Sequence, residues 1–112
     1  MKEYQVDISD QAEQDLRAIF EYIAFELLAP GSASCQLDRL EKEINKLSTF
    51  PEGHRRYEEE PWYSRNLRVL PVDNYCVFYI PDNESLTVTV IRVIYCGRDI
   101  EKQLNRFTRY KD

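Results

Sequence analysis

RNLRVLPVDNYCVFYIPDNESLTVTVIRVIYCGRD, residues 65–99, reads as three consecutive strands followed by a glycine and the start of a helix. Leu67 and Val69 alternate with Asn66 and Arg68, the period-2 pattern of a strand with one buried face. Residues 75–80 form the next strand, and Pro81-Asp82-Asn83-Glu84 supplies the turn residues of a hairpin. Residues 86–95 are apolar on both faces: Leu86, Val88, Val90 and Ile94 fall on one, Ile91, Val93 and Tyr95 on the other. A strand of that kind sits in the middle of a sheet, with something covering each face.

Upstream, Tyr4, Val6 and Ile8 alternate with Gln5 and Asp7, a further strand. Ser9 is placed to cap a helix whose first turn holds Asp10 and Glu13, where negative charge suits the helix dipole. Ala12, Leu16, Ile19, Phe20, Ile23 and Leu27 recur at helical spacing, and Pro30-Gly31 is expected to end the helix. A second helix is expected from about Ser32 or Ser34, burying Leu37, Leu40, Ile44 and Leu47; the short break makes an antiparallel helical hairpin. From Thr49 the pattern stops, and FPEGHRRYEEEPWY (50–63) reads as a loop with Arg55-Arg56 and Glu58-Glu59-Glu60 solvated. Trp62 and Tyr63 in it are either interface anchors or a lid on the core. The helical hairpin can cover one face of the sheet only. The second cover is expected from a terminal helix over residues 100–110, from another chain, or from both.

The whole chain, residues 1–112, is expected to be one α+β domain in the order β-α-α-β-β-β-α: an antiparallel sheet with the helical hairpin on one face. The net charge of −5 argues against indiscriminate nucleic-acid binding. Residues 1–63 hold fourteen acidic and seven basic side chains, the remainder six and eight, so any phosphate contact is expected on the carboxy-terminal half. The longest apolar stretch, IFEYIAFELLAP (19–30), is interrupted by Glu21 and Glu26 and falls short of the ~20 residues of a membrane span. With no signal-peptide pattern either, a cytoplasmic location is expected. Cys35, Cys76 and Cys96, odd in number and set among apolar residues, read as reduced, buried thiols. His54 is the only histidine, and there is no GxSxG motif, no glycine-rich phosphate loop and no metal-ligand spacing, so neither cofactor nor metal is expected.

The phrases RVLPVDNYCVFY (68–79) and VTVIRVIYCGRD (88–99), with the elements that precede them, resemble the RelE/ParE toxins, the toxic partners of bacterial type II toxin–antitoxin pairs. The resemblance is closer to ParE than to RelE. It implies the fold just described, a cognate antitoxin as partner, a role in growth inhibition and plasmid stabilization, and one of two targets. ParE-like members inhibit DNA gyrase by binding. RelE-like members are endoribonucleases that cleave messenger RNA on the ribosome by attack of a ribose 2′-hydroxyl on the adjacent phosphate, which needs cations around the charged phosphorane. A third possibility is a toxin-derived interaction module without toxicity, with which the acidic balance is consistent.

For the nuclease reading the candidate catalytic residues are Arg68 and Arg98, with Arg65. Arg98, in CGRD, matches a phosphate-contacting arginine of RelE, and Arg65 or Arg68 stands at its cationic pair; arginine suits this task because its planar fork holds two phosphate oxygens. Two departures stand beside these matches. Cys76 occupies a place that is commonly arginine in the nucleases, and Leu104 falls near their catalytic tyrosine, for which Tyr95 or Tyr110 would have to substitute. A glutamate among Glu58, Glu59 and Glu60 would be the general base. The plain alternatives are a cap and ion pair for Arg98-Asp99, a structural ion pair for Arg92, and core roles for Tyr75, Phe78 and Tyr79. The antitoxin groove is expected on an exposed apolar face of the sheet at Val88, Val90 and Ile94, together with Leu104 and Phe107 of the terminal helix.

Overall fold

The computed structural model describes residues 3–109. The elements follow in the order β1 (Gln5–Ile8), α1 (Asp10–Glu21), a π-helical turn (Tyr22–Glu26), α2 (Pro30–Asn45), β2 (Arg68–Val72), β3 (Tyr75–Asp82), β4 (Thr87–Tyr95) and α3 (Ile100–Phe107). The strands lie in the spatial order β1-β4-β3-β2, so the doubly apolar β4 is central, as its composition predicts. β2, β3 and β4 pair antiparallel, but β1 pairs parallel to β4, which makes the sheet mixed rather than wholly antiparallel. Alternation in a four-residue strand gives its buried face and nothing about its direction; here the chain passes through both helices, β2 and β3 before β4 comes to lie parallel beside β1.

Ser9 caps α1 as expected, its Oγ accepting from Ala12 N at 3.1 Å. The helix then departs from the α period. Its last turn widens into the π turn, which holds one more residue per turn and rotates the stripe. Ala24 is buried in place of the expected continuation, Ile23 is half-buried, and Leu27 lies 56% exposed. Leu28 takes a left-handed φ of 54° and reverses the chain. Pro30 therefore starts α2 instead of ending α1. Its missing N–H is no loss in the first helical turn, where that donor has no intrahelical acceptor.

Two apolar clusters flank the sheet. On the hairpin side Ala12, Leu16, Leu40, Ile44 and Leu47 pack on Val77, Tyr79, Val88, Val90 and Val93. On the other side Trp62, Leu67 and Leu104 pack on Val69, Phe78, Ile91 and Ile94. The second cover is thus α3 together with the 50–67 loop, whose Trp62 is a buried lid with its indole N–H on Asn105 Oδ1 at 2.8 Å. Tyr110, the expected end of the terminal helix, lies outside the described residues.

The expected faces of β4 are corrected by a β-bulge. Phe78 pairs with Arg92 but Tyr79 with Val90, leaving Ile91 as the extra residue. Val88, Val90 and Val93 consequently face the hairpin, whereas Ile91 and Ile94 face α3. Pairing with β1 ends at Val90, so β4 has an open edge beyond the bulge. Side chains of the α1 segment complete it: Ser9 Oγ donates to Ile91 O at 3.2 Å, and Asp15 Oδ2 accepts from Val93 N at 3.0 Å.

Truncation of Leu40 or Ile44 to alanine is expected to cost about 2–5 kcal/mol each. The same change at Leu28, 83% exposed, should stay within about 0.5 kcal/mol. Guanidinium unfolding curves of the three variants measure this, and equal midpoints would mean that the hairpin face is misassigned.

Candidate functional site

A cleft of about 760 Å³ opens between the helical hairpin and the ends of β3 and β4. Asp15, Ile19, Tyr22 and Leu27 line it from α1 and the π turn, Gln36 and Arg39 from α2, and Tyr75, Tyr95 and Arg98 from the sheet end. Tyr75 and Tyr95 meet edge-on with ring centroids 5.8 Å apart. Burial, and then the neighbouring Tyr95 and Tyr22, raise the Tyr75 phenol above its ordinary range, so it remains a neutral group at physiological pH. Gly97 leaves room for this packing: a β-carbon there would press on the Tyr95 ring and shift it. At the α2 side, Asp73 accepts from Arg39 Nε at 2.7 Å and from Gln36 Nε2 at 2.9 Å, which holds its carboxyl below the usual range. Charge at that side is therefore largely neutralised, and Arg98 is a lining cation that, among the described residues, makes no side-chain hydrogen bond or ion pair.

The arginines singled out in the sequence do not converge. Arg68 donates from Nη1 to the carbonyls of Glu52 (3.1 Å) and His54 (2.7 Å), tying down the 50–67 loop. Arg65 lies over the Trp62 ring, 4.9 Å from its centroid. Arg68 pairs with Tyr79 on β3, whereas the turn carrying Arg98 follows Tyr95, opposite Tyr75. Four residues of β3 separate those positions, about 13 Å at the rise of a strand. Arg92 has the structural role that was its plain alternative. Its Nε and Nη2 grip Asp15 at 2.7 and 3.1 Å, while Nη1 reaches Thr108 Oγ1 at 3.1 Å and the carbonyls of Gln103 and Phe107. Asp99 caps α3 through Lys102 N, which bears out the cap beside Arg98 but gives Arg98 itself no role in it.

Glu58, Glu59 and Glu60 are exposed. The Glu60 carboxylate accepts from the Ser64 hydroxyl and backbone N–H, which lowers its pKa and fits a turn-forming group, not a base poised near neutrality. Arg56, expected in solvent, is half-buried with its guanidinium 3.9 Å from the Tyr63 ring centroid. Cys35 and Cys96 are exposed and Cys76 is half-buried, in place of the three buried thiols expected. Cys35 lies on the outer side of α2, and Cys96 in the turn after β4, where an apolar neighbourhood in sequence does not imply burial.

Of the residues expected to form an open groove, Val88, Val90, Ile94 and Leu104 are buried in the chain's own two clusters, and Phe107 alone is exposed, at 51%. The large apolar side chains that reach solvent lie elsewhere. Tyr22, Phe25, Leu27 and Leu28 cluster at the tip of the helical hairpin, and Tyr22 and Leu27 also line the cleft. Sequence reading placed Leu27 in the α-helical stripe and assigned no role to Tyr22, Phe25 or Leu28; the π turn and the left-handed Leu28 bring the four together in solvent.

The family model for the ParE toxin of the type II toxin–antitoxin system parDE matches residues 6–100. No curated protein is significantly similar in sequence. Among solved structures, the chain resembles the chromosomal ParDE toxin–antitoxin system from P. aeruginosa, with a TM-score of 0.69 at 17% identity over 82% of this chain and 95% of that one. It is also similar to the RelBE2 toxin–antitoxin complex from Mycobacterium tuberculosis (TM-score 0.61, 21% identity, 85% and 93% covered). The archaeal RelE–RelB complex from Pyrococcus horikoshii OT3 is comparable (TM-score 0.61, 15% identity, 85% and 97% covered). At these identities the structural likeness shows the fold.

Asp15 and Arg98 both line the cleft, but only the first is engaged in the fold. Asp15→Ala leaves the Arg92 guanidinium uncompensated and is expected to cost about 3–5 kcal/mol. Arg98→Ala should change stability by no more than about 0.5 kcal/mol. Urea denaturation of both variants checks the contrast, and comparable losses would place Arg98 among the structural arginines.

Proposed function

This chain belongs to the ParE toxin family of type II toxin–antitoxin systems, and from that premise we propose that it arrests growth by binding DNA gyrase, without cutting RNA. The observation that carries this reading is the dispersal of Arg65, Arg68 and Arg98. Cleavage of a phosphodiester by an internal hydroxyl requires donors converging on one phosphorane. Here Arg68 is held by loop carbonyls and Arg65 stacks on Trp62, so neither joins Arg98 at the cleft. Cys76 where the nucleases carry arginine, and Leu104 buried near the place of their tyrosine, support the same reading. The family match over residues 6–100 supports reading residues 1–112 as one toxin domain.

The neutralising partner is a cognate antitoxin, as in the toxin–antitoxin complexes that share this fold. Its segment orders along the cleft and over the hairpin tip, burying Tyr22, Phe25, Leu27 and Leu28, with Phe107 as a further anchor. Val88, Val90 and Leu104 are buried in the chain's own core and are not part of this surface; of the expected groove residues only Ile94 borders the cleft. Because residues 1–63 carry a net −7, basic residues of the antitoxin speed its approach to the hairpin, and the apolar anchors set how slowly it leaves.

Induced expression is expected to arrest growth with gyrase-linked DNA breaks while translated messages stay intact. Rapid message cleavage, abolished by Arg68→Ala and by Arg98→Ala in folded protein, would establish the RelE-like alternative. No growth effect in several hosts would leave the interaction module. For the partner, Leu28→Asp and Phe107→Asp should each weaken antitoxin binding at least about tenfold, ~1.4 kcal/mol. Titration calorimetry reads this, and unchanged affinity in both variants would move the interface off the hairpin tip and α3.

A further inference from the structure

The toxin reading uses Cys76 only as the absence of an arginine and gives its thiol no role, yet the Cys76 and Cys96 Sγ atoms lie 2.8 Å apart. Cys76 stands opposite Ile94 in the β3–β4 ladder. Cys96 follows two residues later, its N–H bonded to Asn74 O at 2.8 Å. The two side chains are therefore diagonal neighbours on one face of the sheet, the face covered by α3 and Trp62. Both are free thiols. Cys96 is exposed and sits in the turn between β4 and α3.

We propose that Cys76 and Cys96 are an oxidative modification site, converted by a hydroperoxide into an intrachain disulfide that staples β3 to the turn leading into α3. In the first step the Cys96 sulfur attacks the peroxide O–O bond, giving the sulfenic acid and releasing one molecule of water. In the second, Cys76 Sγ attacks the sulfenic sulfur and displaces the hydroxyl as water. The two thiols together lose two protons and two electrons, and hydrogen peroxide is reduced to two waters. Closure to a bonded sulfur pair at about 2.05 Å needs each sulfur to move only a fraction of an ångström.

The environments of the two sulfurs assign their order of reaction. Burial, and then the hydrogen bond with Cys96, push the Cys76 thiol up to about 12, so Cys76 keeps its proton while Cys96 is the sulfur that meets the oxidant. The third thiol does not compete. Cys35 is on α2, on the opposite face of the sheet. The staple would fix the turn that presents Gly97 and Arg98, so the oxidation state of the pair is felt at the edge of the cleft.

The full chain is treated with hydrogen peroxide, its remaining thiols are alkylated with N-ethylmaleimide, and the digest is mapped by mass spectrometry. The expected product is a monomer with a Cys76–Cys96 linked peptide and an alkylated Cys35, restored to three alkylated thiols by dithiothreitol. Hydrogen exchange of the amides of residues 98–104 should slow severalfold on oxidation of the parent and of Cys35→Ser, and not of Cys96→Ser. Three alkylated cysteines after peroxide, sulfinic acid at Cys96 with Cys76 still alkylatable, or dimers joined through Cys35 would each overturn the proposal. So would a linked peptide that leaves exchange in residues 98–104 unchanged, since the staple would then hold nothing.

Discussion

The grip of Arg92 on Asp15 joins three elements at one point. Arg92 is on β4, Asp15 on α1, and the remaining guanidinium donors reach Gln103, Phe107 and Thr108 at the end of α3. With side chains only 6% and 16% exposed, the pair carries a desolvation penalty that its mutual attraction alone does not reliably offset. Geometry makes the difference. The carboxylate takes two parallel donors from one guanidinium and a third from Val93 N, so its lone pairs are used. That third bond fills the open edge where β1 stops. The ion pair is therefore a device for ending one strand early: β1 stays four residues long, α1 can begin at once, and the edge of β4 is sealed by side chains.

The bulge at Ile91 makes this arrangement possible. By inserting one residue against Phe78 and Tyr79, it sends Ile91 and Arg92 toward α3 in succession and returns Val93 to the hairpin face. Without it, Ile94 would compete with Val90 and Val88 for the space against Leu40 and Ile44. The existence of strands, their central member and the helical hairpin were legible in the sequence because each rests on a period of apolar residues. The phase of β4 was not, because the stretch from Val88 to Tyr95 is apolar at nearly every position and a slip by one leaves no trace in the pattern.

The π turn hid the surface patch in a similar way. Ile23 and Leu27 continue the spacing of Leu16 and Ile19, so an unbroken α-helix would carry them into the core. One additional residue per turn brings Ala24 inward instead and leaves the larger side chains outside. Arginine placement was legible only where a partner was named by context. Arg92 in an apolar run demands a buried acid, and one is there. Arg68 and Arg65 sit near a 50–67 loop with little regular structure, whose carbonyls and aromatic faces accept whatever donors lie within reach. Residue type and strand position alone do not reveal such local claims on a guanidinium.

A small domain that leaves Tyr22, Phe25, Leu27 and Leu28 in water at one end is poorly suited to remain alone. The patch lies at the junction of α1 and α2, away from the Arg92–Asp15 lock, and the elements around it differ in what holds them. α2 is anchored by Leu40 and Ile44 in the core and by the Asp73 contacts of Gln36 and Arg39. The π turn contributes Ala24 as its one buried side chain. A partner covering the tip would therefore strengthen the hairpin where its own packing is thinnest, and would stabilise the folded chain by mass action in proportion to its concentration over its dissociation constant. The same argument separates the two regions of the molecule: the β4–α1–α3 junction is completed internally, whereas the hairpin tip leaves large apolar side chains in solvent.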